Sequence, residues 1–206
     1  MGACGRAEKI LTILNEELCP IGTAPRETAH REGLLHAVVH CWVASRREGK
    51  TGLWFQQRAR TKRDFPNYYD LAVGGHIGAG ESRDEALWRE MREEIGLEPA
   101  PGCLRYLGFT REELRLGGFF DREVGHVYLY EADCPAFAPG DEVDRMVWVP
   151  LEELVRKELE GAEATAAFTE TGEPVRIGRE QWCVHPGEFE MIVLPALRAA
   201  GKDDGE

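Results

Sequence analysis

Short apolar runs broken by turn-forming residues dominate this chain, and a few stretches instead repeat their apolar positions at helical spacing. Residues 8–14 read as a strand, Asn15-Glu16-Glu17 as a turn and residues 25–30 as a brief helical turn, together an N-terminal flap. Residues 35–44 and 53–58 are strand candidates on either side of a charged turn at 46–50, which predicts a hairpin. Residues 60–69, with Pro66 and Asn67, read as a loop that passes through 71–73 into the glycine-rich stretch 74–80. A helix is predicted from Ser82 to Ile95: Ser82 and Glu85 form a capping box, and Gly96 is a natural stop. Strands at 104–111, 123–131 and 146–150, a helix at 151–159 and a terminal helix after Pro186 complete the pattern. Strands mixed with helices in this order imply an α/β (α+β) fold in which helices pack on both sides of a mixed sheet. The expected organisation is an N-terminal extension at 1–33, a core at 34–155 and a C-terminal helical extension at 156–206 packed on the same domain.

Composition narrows the function. A chain of 206 residues, 43% hydrophobic and 30% charged, has the length of one globular domain with extensions. Its apolar runs fall short of the roughly 20 residues of a membrane span, and the N-terminus lacks the pattern of an export signal, so the expected location is the cytoplasm. The opening Met1-Gly2 resembles a myristoylation start, but Arg6 stands where that signal needs Ser or Thr, so it reads as a frayed terminus. A net charge of -12 disfavours a nucleic-acid polymer as partner, because such binding rests on cationic neutralisation of phosphates. The cysteines Cys4, Cys19, Cys41, Cys103, Cys134 and Cys183 show no C-x-x-C spacing and read as free thiols, several of them buried.

The chemistry concentrates in residues 75–97. At about 100° per residue, Glu90, Glu93 and Glu94 share one helix face, beside an apolar arc of Leu87, Trp88, Met91 and Ile95. Like charges at these spacings repel by a few tenths of a kcal/mol per pair, so the arrangement calls for cations. Hard carboxylate oxygens suit Mg²⁺, with Mn²⁺ a second choice, and the preceding glycines let backbone approach a metal or phosphate closely. Arg89 is placed to pair with Glu81 and tie loop to helix. Asp121 and Glu123, two apart on a strand, form a second acidic pair on one face.

This segment resembles the Nudix signature, G-x5-E-x7-R-E-U-x-E-E-x-G-U with U apolar, and matches it at every fixed position from Gly75 to Gly96. The resemblance implies a Nudix-type α/β/α sandwich, metal ligation by Glu90, Glu93, Glu94 and the Gly75 carbonyl, and one of these glutamates as general base. From about residue 30 to 151 the chain is also similar to the isopentenyl-diphosphate isomerases and the hydrolases like them. That similarity implies diphosphate binding by Arg58 and Lys62 and a further metal site at His36, His76, Asp121 and Glu123. His30 is an offset match, one residue nearer His36 than in the isomerase pattern. His40, His126 and His185 read as structural. Where the isomerases carry an essential cysteine this chain has Gly74, which has no acid or base to offer.

The expected function is therefore Mg²⁺-dependent hydrolysis of a phosphoanhydride in a small diphosphate compound, either a nucleoside diphosphate linked to another group or an isoprenoid-type diphosphate. The alternatives are an isomerase-like enzyme and a diphosphate-binding module without turnover. Phe65, Tyr68, Tyr69, Phe119, Phe120, Phe168 and Trp182 either line a substrate pocket or belong to the core, which is the preferred reading for most of them. A homodimer contact through the N-terminal flap or the tail is compatible with the sequence.

Overall fold

The central strand β3 (His36–Arg47) carries two alternating sets of side chains, and the fold is built on that alternation. Trp42 and Ala44 face one apolar layer, with Leu53, Phe55, Val127 and Leu129, while Val39, Cys41 and Val43 face another, with Trp54, Tyr128 and Met146. β3 is antiparallel to β4 (Lys50–Arg58) around a turn at Glu48-Gly49, where both residues have positive φ. This computed structural model describes residues 8–203 apart from 101, 117 and 118, so the terminal residues Met1, Arg6 and Cys4 lie outside the described residues.

β1 (Ile10–Leu14), β2 (Pro20–Pro25) and α1 (Arg26–Glu32) precede β3. After β4 come β5 (Tyr69–Leu71), β6 (Val73–His76) and α2 (Arg83–Glu90), then the long pair β7 (Leu104–Leu116) and β8 (Phe119–Glu131). β9 (Val143–Pro150), α3 (Leu151–Glu160), β10 (Ala164–Thr169), β11 (Pro174–Gly178) and α4 (Leu194–Asp203) complete the chain. The strands join one sheet in which β3 is parallel to β8 and the other paired strands are antiparallel, so the sheet is mixed as expected. α2 packs on one face through Ala86 and Leu87; α3 and α4 pack on the other through Leu154, Leu194 and Leu197.

Three elements depart from the sequence expectation. The N-terminal segment is part of the sheet: β1 pairs with β2 and bridges to β3 at Ile13 and His36, and Leu11, Ile13, Ala24 and Ala29 form a small core of their own. β7 and β8 extend beyond the apolar runs that predict them, because their ladder continues through Glu112 and Glu123 and through Arg115 and Phe120. The tail is not simply helical: β10 and β11 form a hairpin on the β9 edge before α4 begins. Of the described cysteines Cys41 is buried, whereas Cys19, Cys103 and Cys134 are exposed and Cys183 is half-buried, so burial accounts for fewer of them than expected. Tyr69 and Trp182 are core residues.

Candidate functional site

α2 starts as the sequence predicts. Ser82 Oγ accepts from the Glu85 amide at 3.3 Å, and the Glu85 carboxylate accepts from the Ser82 amide at 2.9 Å. The helix then widens into a π turn over Met91–Ile95 and stops at Gly96, whose φ is 67°. Such wide turns recur at functional sites because they re-aim side chains within an otherwise regular helix. Here the turn brings Glu94 under the β5–β6 segment, where its carboxylate accepts from the Gly74 amide at 3.0 Å and from Gln56 Nε2 at 3.1 Å. Burial, with the charge of Glu90 adding to it, pushes the Glu94 carboxyl up to about 8.

Glu90 sits against Gly75, accepting from Arg89 at 2.6 Å and Lys9 Nζ at 3.1 Å. Glu93 is 48% exposed, with Arg89 3.5 Å away. Arg89 grips Glu81 with two bonds of 2.8 and 3.0 Å and donates to the His76 carbonyl at 3.1 Å, so one guanidinium fixes the glycine-rich loop, the helix and the end of β6.

The second predicted group also comes together. His30 on α1, His36 on β3, His76 on β6 and Asp121 and Glu123 on β8 converge, with the three imidazole centroids 5.1 to 5.2 Å apart. His36 Nδ1 donates to the Leu34 carbonyl at 2.9 Å, which turns Nε2 toward Asp121 and Glu123, each at 3.6 Å. These separations are too long for hydrogen bonds, and His36 Nε2 and Asp121 Oδ1 are both buried without a partner among the described residues. Burial, aided by Arg26, lowers His30 to about 4, and burial holds His76 well below its ordinary value, so both favour the neutral form, with their Nε2 atoms 3.1 Å apart in a hydrogen bond. Burial and repulsion from Glu123 push Asp121 up to about 8. Orphaned ligand atoms, neutral imidazoles and repelling carboxylates all fit a bound cation. His30, offset in the sequence pattern, belongs to the group.

The three glutamates and, from the second group, His76, Asp121 and Glu123 line one cleft of about 1630 Å³, together with Lys9, Arg26, Arg58 and Lys62, while His30 and His36 are buried beside it. Arg58 donates to Asp70 Oδ2 at 3.0 Å and to the Asp64 carbonyl at 3.1 Å, and Lys62 pairs with Glu142. Phe65 is the aromatic side chain on the cleft wall among the described residues.

A further set of charged residues, most of them lining the same cleft, was missed by sequence reasoning. His40 Nδ1 donates to Glu188 at 2.7 Å, His185 bonds Glu112 at 3.2 Å and Asp70 at 2.9 Å, and the two imidazoles meet edge to face at 4.8 Å. His40 and Glu188 are buried. His40 and His185, expected to be structural, are paired with carboxylates: His40 through Nδ1 and His185 through both ring nitrogens. No sequence signal could have joined residues 40, 70 and 112, on three separate strands, with 185 and 188 in the segment before α4.

Comparison with known proteins agrees with this architecture. Residues 34–171 match the NUDIX domain. An uncharacterized Nudix hydrolase of Clostridium acetobutylicum is 38% identical over 152 residues, covering 72% of this chain and 73% of that protein. An isopentenyl-diphosphate Delta-isomerase of Escherichia coli is 30% identical over 145 residues, covering 70% and 78% respectively. The crystal structure of a Deinococcus radiodurans protein superposes with a TM-score of 0.55 at 23% identity, over 74% of this chain and 90% of that one, which shows the shared fold. The signature helix, the glycine-rich strand beneath it and the match across two thirds of the sequence together place this chain in the Nudix family.

Proposed function

We propose that this protein hydrolyses a phosphoanhydride bond in a small diphosphate-containing molecule, using divalent cations held by Glu90, Glu93, Glu94 and the Gly75 carbonyl. The observation that carries this reading is the seating of Glu90 and Glu94 against the glycine-rich strand, with Glu93 beside them on the wall of the same cleft. Mg²⁺ or Mn²⁺ at these oxygens supplies charge neutralisation at the phosphoryl group and lowers the pKa of water.

The protein's own groups do the remaining work. Arg89 holds the loop to the helix so that the carboxylates keep their spacing. Glu93, the most exposed of the three glutamates, is the one free to turn toward a water and take its proton. Arg58 and Lys62 exchange carboxylate partners for the distal phosphate when substrate enters. The His30, His36, His76, Asp121 and Glu123 group holds a further cation on the same cleft. No helix among the described residues is long and apolar enough to cross a membrane.

A second reading, isomerisation of an isoprenoid diphosphate, is favoured by the histidine-carboxylate group and by the similarity to the isomerase. It lacks the acid that Gly74 cannot provide. The deciding experiment measures release of phosphate, pyrophosphate or nucleotide from a panel of diphosphate compounds with Mg²⁺ and Mn²⁺, with Glu94→Gln protein as control. Metal-dependent cleavage that vanishes in the control supports hydrolysis; conversion of isopentenyl diphosphate to its isomer without cleavage moves the function to the second reading.

A further inference from the structure

We propose that His40, Glu112, His185 and Glu188 form a separate metal site for a borderline divalent transition metal of the zinc class. It is independent of the hydrolytic reading and distinct from the signature glutamates and from the His30 and His36 group.

One ligand atom from each of these four residues lies within 4.8 Å of all the others. Two imidazole nitrogens and two carboxylate oxygens are a donor set that zinc-class cations take in tetrahedral sites, whereas Mg²⁺ prefers a shell of oxygens and water. The ligands are already oriented from behind. His185 Nε2 bonds Asp70 at 2.9 Å, which leaves Nδ1 facing the cluster, and Asp70 is itself held by Arg58 and by the Leu71 amide. Glu188 Oε1 accepts from Trp42 Nε1 at 2.5 Å, so Oε2 is the oxygen presented to His40 and Thr110. Outer partners of this kind are the usual companions of metal-binding histidines and carboxylates.

An independent observation points to a missing ligand. Glu112 Oε1 is buried and has no hydrogen-bond partner among the described residues, on a side chain only 10% exposed. An orphaned buried carboxylate oxygen is destabilising, and a cation relieves that cost. His40, Glu112 and His185 line the cleft, which gives an ion a path from solvent to the site. Entry of M²⁺ sends two protons to water, one from each histidine-carboxylate pair, so the exchange conserves charge.

The site joins β3, β7 and the segment before α4, so occupancy should also stabilise the fold. The test uses the full chain carrying His30→Gln and His76→Gln, which removes the other histidine group, in excess Mg²⁺ to fill the glutamate helix. Co²⁺, a spectroscopic stand-in for zinc, is titrated while visible ligand-field bands and the thermal midpoint are followed. The expected result is one equivalent of tightly bound Co²⁺ with intense tetrahedral bands and a raised midpoint. Adding Glu112→Gln, which keeps the side-chain shape and the fold by circular dichroism, should abolish that equivalent, as should His185→Gln in protein that remains folded. A background protein that gives no bands and no midpoint shift overturns the proposal, as do bands that survive Glu112→Gln undiminished.

Discussion

Glu90 occupies the space that a side chain at position 75 would need: a Cβ on Gly75 would fall 2.1 Å from Glu90 Cδ. The glycine opening the signature is therefore required by packing against the carboxylate as well as by any use of its carbonyl. Gly75→Ala should push Glu90 off its seat. We expect turnover to fall by about a hundredfold, the scale of a misplacement near 1 Å, with a stability loss of about 1–3 kcal/mol. Steady-state rates alongside chemical denaturation check this; normal turnover in the Gly75→Ala variant would show that the close fit has no catalytic consequence.

Glu93→Gln and Glu94→Gln each remove a cation-binding charge while keeping the side-chain shape. Turnover should drop about 10²–10³-fold or below detection, each 1.4 kcal/mol of lost stabilisation being about a factor of ten. The fold should persist, since Gln at 94 can still accept from the Gly74 amide. Near-normal rates in either variant, measured with saturating Mg²⁺, would remove the basis of the hydrolytic mechanism. Chelation of metal from the wild-type protein should reproduce the loss, and added Mg²⁺ should restore it.

Arg89→Lys keeps the charge but loses the fork that reaches both Glu81 oxygens and the His76 carbonyl. Arg89 is a positioning residue here, so the Lys variant should lower kcat more than it raises KM and should weaken the apparent affinity for Mg²⁺. A variant with unchanged Mg²⁺ dependence would reduce the Arg89 pair to a purely structural tie.

Asp70 joins the imidazole of His185 to the guanidinium of Arg58. Against burial, which works the other way, these two cations hold its carboxyl well below its ordinary value of 3.8. A depressed carboxyl contributes stability above the unfolded pKa and loses it as the pH falls through the folded one. Asp70→Asn should therefore cost about 3 kcal/mol at neutral pH, with the gap to wild type closing below pH 3.8. Denaturation midpoints across an acid series measure this; a gap independent of pH would assign the cost to shape rather than charge.

Gly74 has an ordinary backbone and room for a Cβ, which would meet Leu71 Cδ1 at 3.4 Å and His40 Cδ2 at 4.0 Å in ordinary van der Waals contact. Gly74→Cys should fold with an unchanged thermal midpoint. The wild-type protein should not convert isopentenyl diphosphate; if it does, measured by product chromatography, the acid comes from elsewhere and isomerisation becomes the leading activity.

The sequence made the signature helix, its capping box and its stop at Gly96 legible because local rules fix them: Ser82 meets Glu85 three residues on, and Gly96 takes up positive φ. The Glu81 and Arg89 pair was legible for the same reason. What was hidden depends on contacts between distant elements. Nothing local marks the π turn at Met91–Ile95, and the β10–β11 hairpin is short and weakly apolar. His40 looks like a core histidine until the chain folds Glu188 against it from 148 residues away.

β3 presents His36 to one charged group and His40, four residues on along the same side of the strand, to another. At about 3.3 Å per residue the two anchor points are held roughly 13 Å apart by extended backbone alone, without a hinge between them. A one-residue slip in the register of β3 would turn both imidazoles through the sheet together. The two groups therefore share a single point of failure, and drift in the register of β3 would silence them as a pair.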